Sequence, residues 1–312
     1  MDIHINNSFS IIENKKTKAI AEEIMKIIFL VCAFFAVLAV FSITIYMILN
    51  GTPAILKIGL KEILFETQWA PTAADPKYGI LYVILTSIVG TTFAVLIGVP
   101  IGVLTAVFIA EVAPKQLAAI VKPAVELLAG IPSVIYGLLG IMILNPFMYK
   151  IEKIIFKGSS THQFTGGSNL ISAIIVLAIM ILPTVINISE SSIRAVPREM
   201  RSASLALGAS KIQTIFKVVL PVARSGIMSA IVLGVGRAIG EAMAITLVSG
   251  SSVNLPLPFN SVRFLTTAIV AEMGYAADLH KEALIATAVV LFVFILLINL
   301  LFSLVKRRGI NG

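Results

Sequence analysis

Charged residues are scarce in this chain, and that scarcity excludes most classes of soluble protein. Asp, Glu, Lys and Arg make up 13% of the 312 residues, whereas about a quarter of a typical soluble domain is charged. Hydrophobic residues make up 58%, and the mean hydropathy is +1.01. We therefore expect an integral membrane protein, with the lipid bilayer as its solvent.

The sequence also lacks the residues that several kinds of chemistry require. Its one cysteine, Cys32, lies in an apolar run, so no disulfide framework exists and no redox compartment is indicated. The dipeptide Gly-Lys is absent, which excludes a nucleotide-binding P-loop. The histidines His4, His162 and His280 are far apart and lie outside the apolar runs, so we predict no metal site and no catalytic residue. His280 is expected in a solvated loop.

Long apolar runs predict an all-α fold with six transmembrane helices. The expected spans are 26–49, 79–110, 117–144, 170–188, 218–248 and 283–305. Gly98, Pro100 and Gly102 are expected to bend or break the second span. The first run is longer than a signal-peptide core and has no obvious cleavage site, so we expect it to be retained.

The polar segments between the runs have different expected roles. Residues 1–25 are predicted to be cytoplasmic and loosely ordered, and residues 306–312 to form a cytoplasmic tail. The segment 50–78 has balanced charge and is expected to be an external loop. The loop that carries Lys150, Lys153, Lys157 and the Gly/Ser-rich stretch KGSSTHQFTGGS is expected to be external and mobile.

The formal charge of +8 is distributed in a way that predicts orientation. Lys and Arg cluster between apolar runs and not along one face, which argues against nucleic acid as a partner. Six spans place both termini on one side, where 15 of the 24 Lys and Arg residues lie, against 8 on the other side. The excess of positive charge predicts that both termini are cytoplasmic.

The stretch 194–221 predicts two helices separated by a sharp bend on the cytoplasmic side. Pro197 suits the first position of a helix, and Gly208 suits the left-handed conformation that ends one. Ser210 and Gln213 form a capping box for a second helix, which runs into the membrane. Small residues keep the first helix slim, so another protein could approach its backbone. An ordinary membrane-surface elbow is the alternative.

This stretch resembles the EAA loop of the membrane subunits of bacterial ABC importers, which docks on the ATPase subunit. The residues that carry the resemblance are Ser202, Ala203, Ser204, Gly208, Val218, Leu220 and Pro221. The family usually has Glu-Ala-Ala at the first three positions and isoleucine at position 218. The small-residue surface and the Gly208 bend are the parts of the pattern that this chain keeps.

Further stretches resemble one branch of that family, the PstC-type permeases of bacterial phosphate importers. They are GIPSVIYGLLG from Gly130, MILPTVINISESSIRAVPREMR from Met180, GRAIGEAMAITLVSG from Gly236 and TTAIVAEMGYA from Thr266. The related PstA permeases share the core, but EAMAITL after Gly240 and the loop with Trp69 and Pro71 favour PstC. The resemblance implies a MetI-like type I importer core over 79–305.

The resemblance also implies partners. The chain would pair with a PstA-type permease, bind an ATPase dimer through residues near 197–217, and receive phosphate from an external phosphate-binding protein. It would not itself be an enzyme and would hold no cofactor, because ATP with Mg²⁺ would be bound by the ATPase. Closure of the ATPase dimer would then shift the spans between two packings.

Two charged residues within the fifth span are candidates for the translocation pathway. Arg237 and Glu241 are four residues apart, on one face of a predicted continuous helix. Each costs about 2.5–3.5 kcal/mol at a helix centre on insertion scales, so neither is expected to face lipid. We predict that Arg237 gives an oxyanion a transient positive contact and that Glu241 keeps it from becoming a trap. A structural salt bridge within the bundle is the alternative. Other pairs four residues apart, expected to snorkel or to pair at the interface, are Lys122 with Glu126 and Glu190 with Arg194.

The predicted function is a permease subunit of an ATP-driven importer of inorganic phosphate in the cytoplasmic membrane. The closest alternative is the same machinery for phosphonate, sulfate or molybdate, because specificity would lie largely in the binding protein. An ion-coupled secondary transporter is a second alternative, suggested by broken helices and a buried charged pair. A membrane enzyme is least favoured, because no catalytic set can be assembled.

Overall fold

The computed structural model describes residues 3–310, with the side chains of 21–301 and of Leu304, so the last two residues of the predicted tail lie outside it. Its helices are α1 (Ile3–Ile58), α2 (Leu60–Phe65), α3 (Leu81–Val107), α4 (Lys115–Gly130), α5 (Ser133–Leu139), α6 (Asn145–Ile155), α7 (Leu170–Arg194), α8 (Arg198–Ala206), α9 (Lys211–Thr214), α10 (Leu220–Gly240), α11 (Met243–Val248), α12 (Leu265–Glu272) and α13 (Asp278–Ile310). The π-helical turns Phe108–Val112, Gly140–Leu144 and Ile215–Val219 follow α3, α5 and α9. The strands β1 (Trp69–Ala70) and β2 (Lys77–Tyr78) pair antiparallel.

Six helical segments are long and apolar enough to span a bilayer, as the sequence predicts. They are Ala21–Ile58, Leu81–Val112, Ser133–Ile155, Leu170–Arg194, Lys211–Gly240 and Asp278–Leu301. The number of spans and the all-α class are therefore confirmed, with one small β-hairpin added among the described residues.

The first helix is longer than predicted. α1 is continuous through the amino-terminal segment, so the prediction that 1–25 is loosely ordered is wrong from Ile3 onward. The reason is local, because residues 11–26 contain no glycine or proline and are rich in Ala, Glu, Lys and Ile. The chain divides into one unit of residues 1–50 and a second of residues 51–312. The membrane span that begins in the first unit is strongly apolar, with a mean hydropathy of 2.8.

The centre of the second unit is formed by α3, α7 and α10. α3 is continuous through Pro100, so the second span is not broken there. Gly98 and Gly102 instead permit close packing. A Cβ atom on Gly98 would lie 2.7 Å from Ile181 Cδ1, and one on Gly102 would lie 2.8 Å from Val185 Cγ1. Both neighbours belong to α7, so two glycines one turn apart let the backbones of α3 and α7 approach each other.

The third span differs from its predicted bounds. Gly130 ends α4, and Pro132 precedes the first residue of α5, so the predicted span 117–144 is divided between two helices. α4 has 16 residues, fewer than the ~20 that a spanning helix needs. The third span is instead Ser133–Ile155.

Two predicted loops contain regular structure. The segment 50–78 holds the end of α1, all of α2 and the hairpin of β1 and β2. Lys150 and Lys153, which are predicted to lie in a mobile loop, belong to α6. The chain after α6 is tied to the buried carboxylate of Glu152, which accepts a hydrogen bond from the Thr165 amide at 2.9 Å and lies 2.8 Å from His162 Nε2.

The packing of α3 on α7 generates a prediction. Gly98→Val should destabilise the chain by about 1–3 kcal/mol, because the added methyl groups must displace Ile181 in a packed interface. Gly236→Val is the matched control, since no atom lies within 4 Å of a Cβ placed on that helical glycine. The midpoint of thermal unfolding in detergent should fall for Gly98→Val alone. Equal midpoints for the two variants would show that close approach of α3 and α7 is unimportant.

Candidate docking and transport sites

The predicted docking stretch forms an exposed elbow of two short helices, α8 and α9. Pro197 is the N-cap of α8, one position earlier than predicted. α8 has no buried residue, so its surface is free for another protein. At its end the Gly208 amide donates to the Leu205 carbonyl at 3.0 Å and the Ala209 amide to the Ser204 carbonyl at 3.2 Å. This is the Schellman arrangement, and Gly208 has the left-handed φ of +85° that it requires.

The second arm of the elbow begins as the sequence predicts. The Ser210 hydroxyl accepts the Gln213 amide at 3.3 Å, and the Gln213 side chain accepts the Ser210 amide at 2.8 Å. The hydroxyls of Ser204 and Thr214 are 2.9 Å apart and connect the two arms. α9 continues through a π-helical turn into α10, where Leu220 and Pro221 occupy the first two positions. The elbow is therefore directly attached to the fifth span.

A groove of about 690 Å³ lies between the arms of this elbow. Its lining residues are Met200, Ala203, Ser204, Leu207, Gly208, Ala209, Gln213, Lys217 and Val218. Leu207 and Met200 of the lining are 90% and 43% exposed, and Leu205 and Ile212 of the same elbow are 50% and 70% exposed. An exposed apolar surface with a small-residue floor is suited to receive a protuberance of another protein.

A salt bridge that the sequence analysis did not predict connects α8 to the bundle. Arg201 of α8 donates from Nη2 to Glu111 Oε1 at 2.8 Å and from Nε to the same oxygen at 3.1 Å. Its Nη2 also donates to the Ile193 carbonyl at 2.8 Å, and its Nη1 donates to the Val196 carbonyl. Glu111 lies in the π-helical turn after α3, and Ile193 lies in the last turn of α7.

A second group of charges lies at the same end of α7. The buried carboxylate of Glu190 accepts hydrogen bonds from Arg194 and, at 3.2 Å, from Lys122 Nζ. The predicted pairing of Glu190 with Arg194 is therefore confirmed, and Lys122 pairs with Glu190 and not with Glu126. Because a carboxylate buried at a span end is costly without partners, both cations contribute to holding it there.

The two candidate pathway residues do not share one helix. α10 ends at Gly240, and Glu241 has an extended backbone with ψ of 128°, so the prediction of a single helical face is wrong. Arg237 Nη1 donates to Thr184 Oγ1 of α7 at 3.1 Å. Within the part of the chain whose side chains are described, no salt bridge joins Arg237 to a carboxylate. Thr184, an ordinary span residue by sequence, thus orients the arginine.

Glu241 supports the break that follows α10. Its Oε1 accepts the Ala244 amide of α11 at 3.0 Å, and its backbone carbonyl accepts the Thr266 hydroxyl at 2.7 Å. These bonds satisfy polar groups that the helix break exposes, which a broken helix in lipid requires. The described geometry therefore shows Glu241 as a cap of α11 and Arg237 as a cation with a single neutral partner.

A third polar cluster connects the β-hairpin to α12 and α13. The buried Glu272 carboxylate accepts Trp69 Nε1 at 2.9 Å, lies 2.8 Å from His280 Nε2, and pairs with Arg263. His280 is buried, so its prediction as a loop residue is wrong. Burial alone would raise the pKa of the Glu272 carboxyl, but the hydrogen bonds and the charge of Arg263 outweigh it and hold this pKa below its ordinary value.

Residues 98–310 match the family of binding-protein-dependent transport system inner membrane components. This chain belongs to that family. It is 38% identical over 94% of its length to the probable ABC transporter permease protein YqgH of Bacillus subtilis, of which it covers 94%. It is 34% identical over 88% of its length to the phosphate transport system permease protein PstC of Xylella fastidiosa, of which it covers 86%.

The fold of this permease is also found in a solved structure. A chain of the bacterial alginate ABC transporter, determined in complex with an alginate-bound periplasmic protein, matches with a TM-score of 0.59 and 18% identity, over 88% of this chain and 94% of that one. The importer-permease fold implied by the sequence is thus confirmed. Family membership makes the chain a multi-pass permease of the inner membrane, not an enzyme, as predicted.

The elbow generates a prediction about Gly208. Gly208→Val should prevent docking of the ATPase or uncouple it, because the left-handed conformation costs a residue with a Cβ about 1–2 kcal/mol, and more when the side chain is branched. Gly208→Asn is the matched control, since asparagine tolerates this conformation. Co-purification of the ATPase and uptake in cells are the measurements. If the valine variant behaves like the asparagine variant, the bend is not required for docking.

Proposed function

We propose that this chain is the PstC-type permease of an ATP-driven importer of inorganic phosphate. The observation that carries the proposal is the exposed elbow of α8 and α9. The elbow continues into the fifth span, which carries Arg237. An ATPase that moves the elbow would move the candidate anion contact with it. The cargo is proposed from similarity, because several relatives that cover most of this chain are phosphate transport permeases.

The proposed assembly contains three kinds of partner. A PstA-type permease forms a heterodimer with this chain in the bilayer, an ATPase dimer binds the groove between α8 and α9, and an external protein delivers phosphate. ATP with Mg²⁺ is bound by the ATPase. Both termini and the elbow face the cytoplasm, a proposal supported by the excess of Lys and Arg on that side.

The proposed transport step uses the unequal surroundings of two charges. Arg237 has a neutral hydroxyl partner, Thr184, so its guanidinium keeps N–H groups available for an oxyanion. Glu241 lies one residue beyond the end of the same helix and lowers the net positive charge of the region. Phosphate can therefore bind and still leave, which conduction through a membrane requires.

Uptake into proteoliposomes tests this function. Vesicles would contain the chain with its partner permease, the ATPase and the binding protein, with and without internal ATP, and sulfate and molybdate would be added as competitors. We expect ATP-dependent phosphate uptake that the competitors do not reduce. Competition by either anion would show that the importer is not specific for phosphate. Uptake driven by an ion gradient without the ATPase would contradict the ABC mechanism.

Replacement of Arg237 tests the pathway. Arg237→Gln should lower phosphate uptake about tenfold or more, because a charged hydrogen bond to the substrate contributes roughly 1.5–3 kcal/mol. Arg224→Gln, on the exposed cytoplasmic end of the same helix, is the matched control and should retain uptake. The complex should assemble with either variant. If Arg237→Gln fails only because the complex does not assemble, a structural role replaces the transport role.

A further inference from the structure

α8 has an unusual attachment for a helix that is expected to transmit force. It contains nine residues and buries none of them, so hydrophobic packing contributes little to its position, and a helix this short is marginal by itself. Of its described side chains, Arg201 and Ser204 hydrogen-bond outside the helix. Ser204 reaches Thr214 at the start of the fifth span, so Arg201 is the side chain that connects α8 to the second and fourth spans.

The contacts of Arg201 are directed at the ends of two different spans. Glu111 lies after α3, and the Ile193 and Val196 carbonyls lie at and after the end of α7. The Ile193 carbonyl also accepts the Val196 amide at 3.2 Å, and a cation at the carboxyl end of a helix is favoured by the helix dipole. One guanidinium thus satisfies acceptors from both spans at once, which a lysine ammonium with its single point charge cannot reproduce.

Partial burial makes the loss of one partner of this attachment more costly than the loss of one partner of a surface salt bridge. The side chains of Arg201 and Glu111 are 20% and 13% exposed, whereas pairs that are fully exposed contribute little. A second arginine strengthens this junction, where the end of α3, the end of α7 and α8 meet. Arg194 donates from Nη2 to the Ile109 carbonyl at 3.4 Å and also donates to Glu190. The ends of α3 and α7 are therefore joined to each other and to α8 by hydrogen-bonded cations.

From this junction the structure is continuous to the candidate anion contact. α7 passes from Ile193 at the junction to Thr184, which orients Arg237. α3 follows α7 because their backbones are in close contact at the glycines of α3. A movement of α8 that is transmitted through Arg201 would displace both spans together and would alter the position of Thr184.

We propose that Arg201 is the positioning residue that couples the docking helix α8 to α3 and α7, acting through Glu111 and the carbonyls at the end of α7. This inference rests on the proposed function, because it concerns how ATPase movement reaches the transport pathway. Arg201 has no contact with the cargo in this proposal. Its role is to make α8 and the two spans move as one body.

The test is the ratio of phosphate taken up to ATP hydrolysed, measured in the same proteoliposomes with the full complex. Arg201→Gln should lower this ratio about tenfold while hydrolysis continues, within the range by which residues that link two sites change their coupling. Arg224→Gln, an exposed arginine of α10 outside the stretch 194–221, is the matched control and should keep the ratio of the unmodified complex. Arg201→Lys should give an intermediate ratio.

A second variant identifies the partner of Arg201. Glu111→Gln should also lower the ratio, and the double variant Arg201→Gln with Glu111→Gln should be no worse than Arg201→Gln alone, since both changes remove the same pair. Additive losses would contradict coupling through Glu111. Failure of both single variants to assemble, with Arg224→Gln assembled, would assign Arg201 to assembly and overturn the proposal.

The same experiment separates this inference from the proposed function. Absence of ATP-dependent phosphate uptake in the unmodified complex would contradict the proposed function itself. If the unmodified complex transports phosphate and the Arg201→Gln ratio equals that of Arg224→Gln, the proposed function stands and the inference about Arg201 is wrong.

Discussion

The close packing of α3 against α7 is the constraint on which the rest of this permease depends. Two glycines of α3 leave no room for side chains where they face α7, so the two helices behave as a pair. α10 packs on this pair and presents Arg237 to a hydroxyl of α7. Because packed interfaces resist continuous deformation, a displacement at one end of the pair is expected to appear at the other.

Buried polar clusters hold together segments that apolar packing alone does not fix in position. Glu190, Glu272 and Glu152 are buried carboxylates, and each accepts hydrogen bonds from segments that are distant in sequence or separated by a turn. In an apolar environment an unpaired carboxylate is costly, so each cluster holds its segments in one arrangement. They lie at helix ends and in connecting segments, where the backbone also needs partners.

Family membership and geometry support different parts of the functional conclusion. The match over 98–310 establishes a transport permease, and the solved alginate transporter establishes the fold. The geometry adds the positions of individual residues: a left-handed glycine in the elbow of α8 and α9, an arginine that donates to one threonine, and a second arginine that joins the elbow to two spans. These contacts form a continuous series from the elbow to Arg237, the proposed anion contact.

The sequence alone determined the features that depend on neighbouring residues or on total apolar length. These include the number of spans, the capping box at Ser210, the left-handed turn at Gly208 and the family, since each is set within a few residues or in continuous stretches of sequence. Tertiary structure alone decided the continuity of α3 through Pro100, the burial of His280 and the partner of Arg237. Each of these depends on contacts between segments far apart in the chain, and local pattern carries no information about which segments will meet.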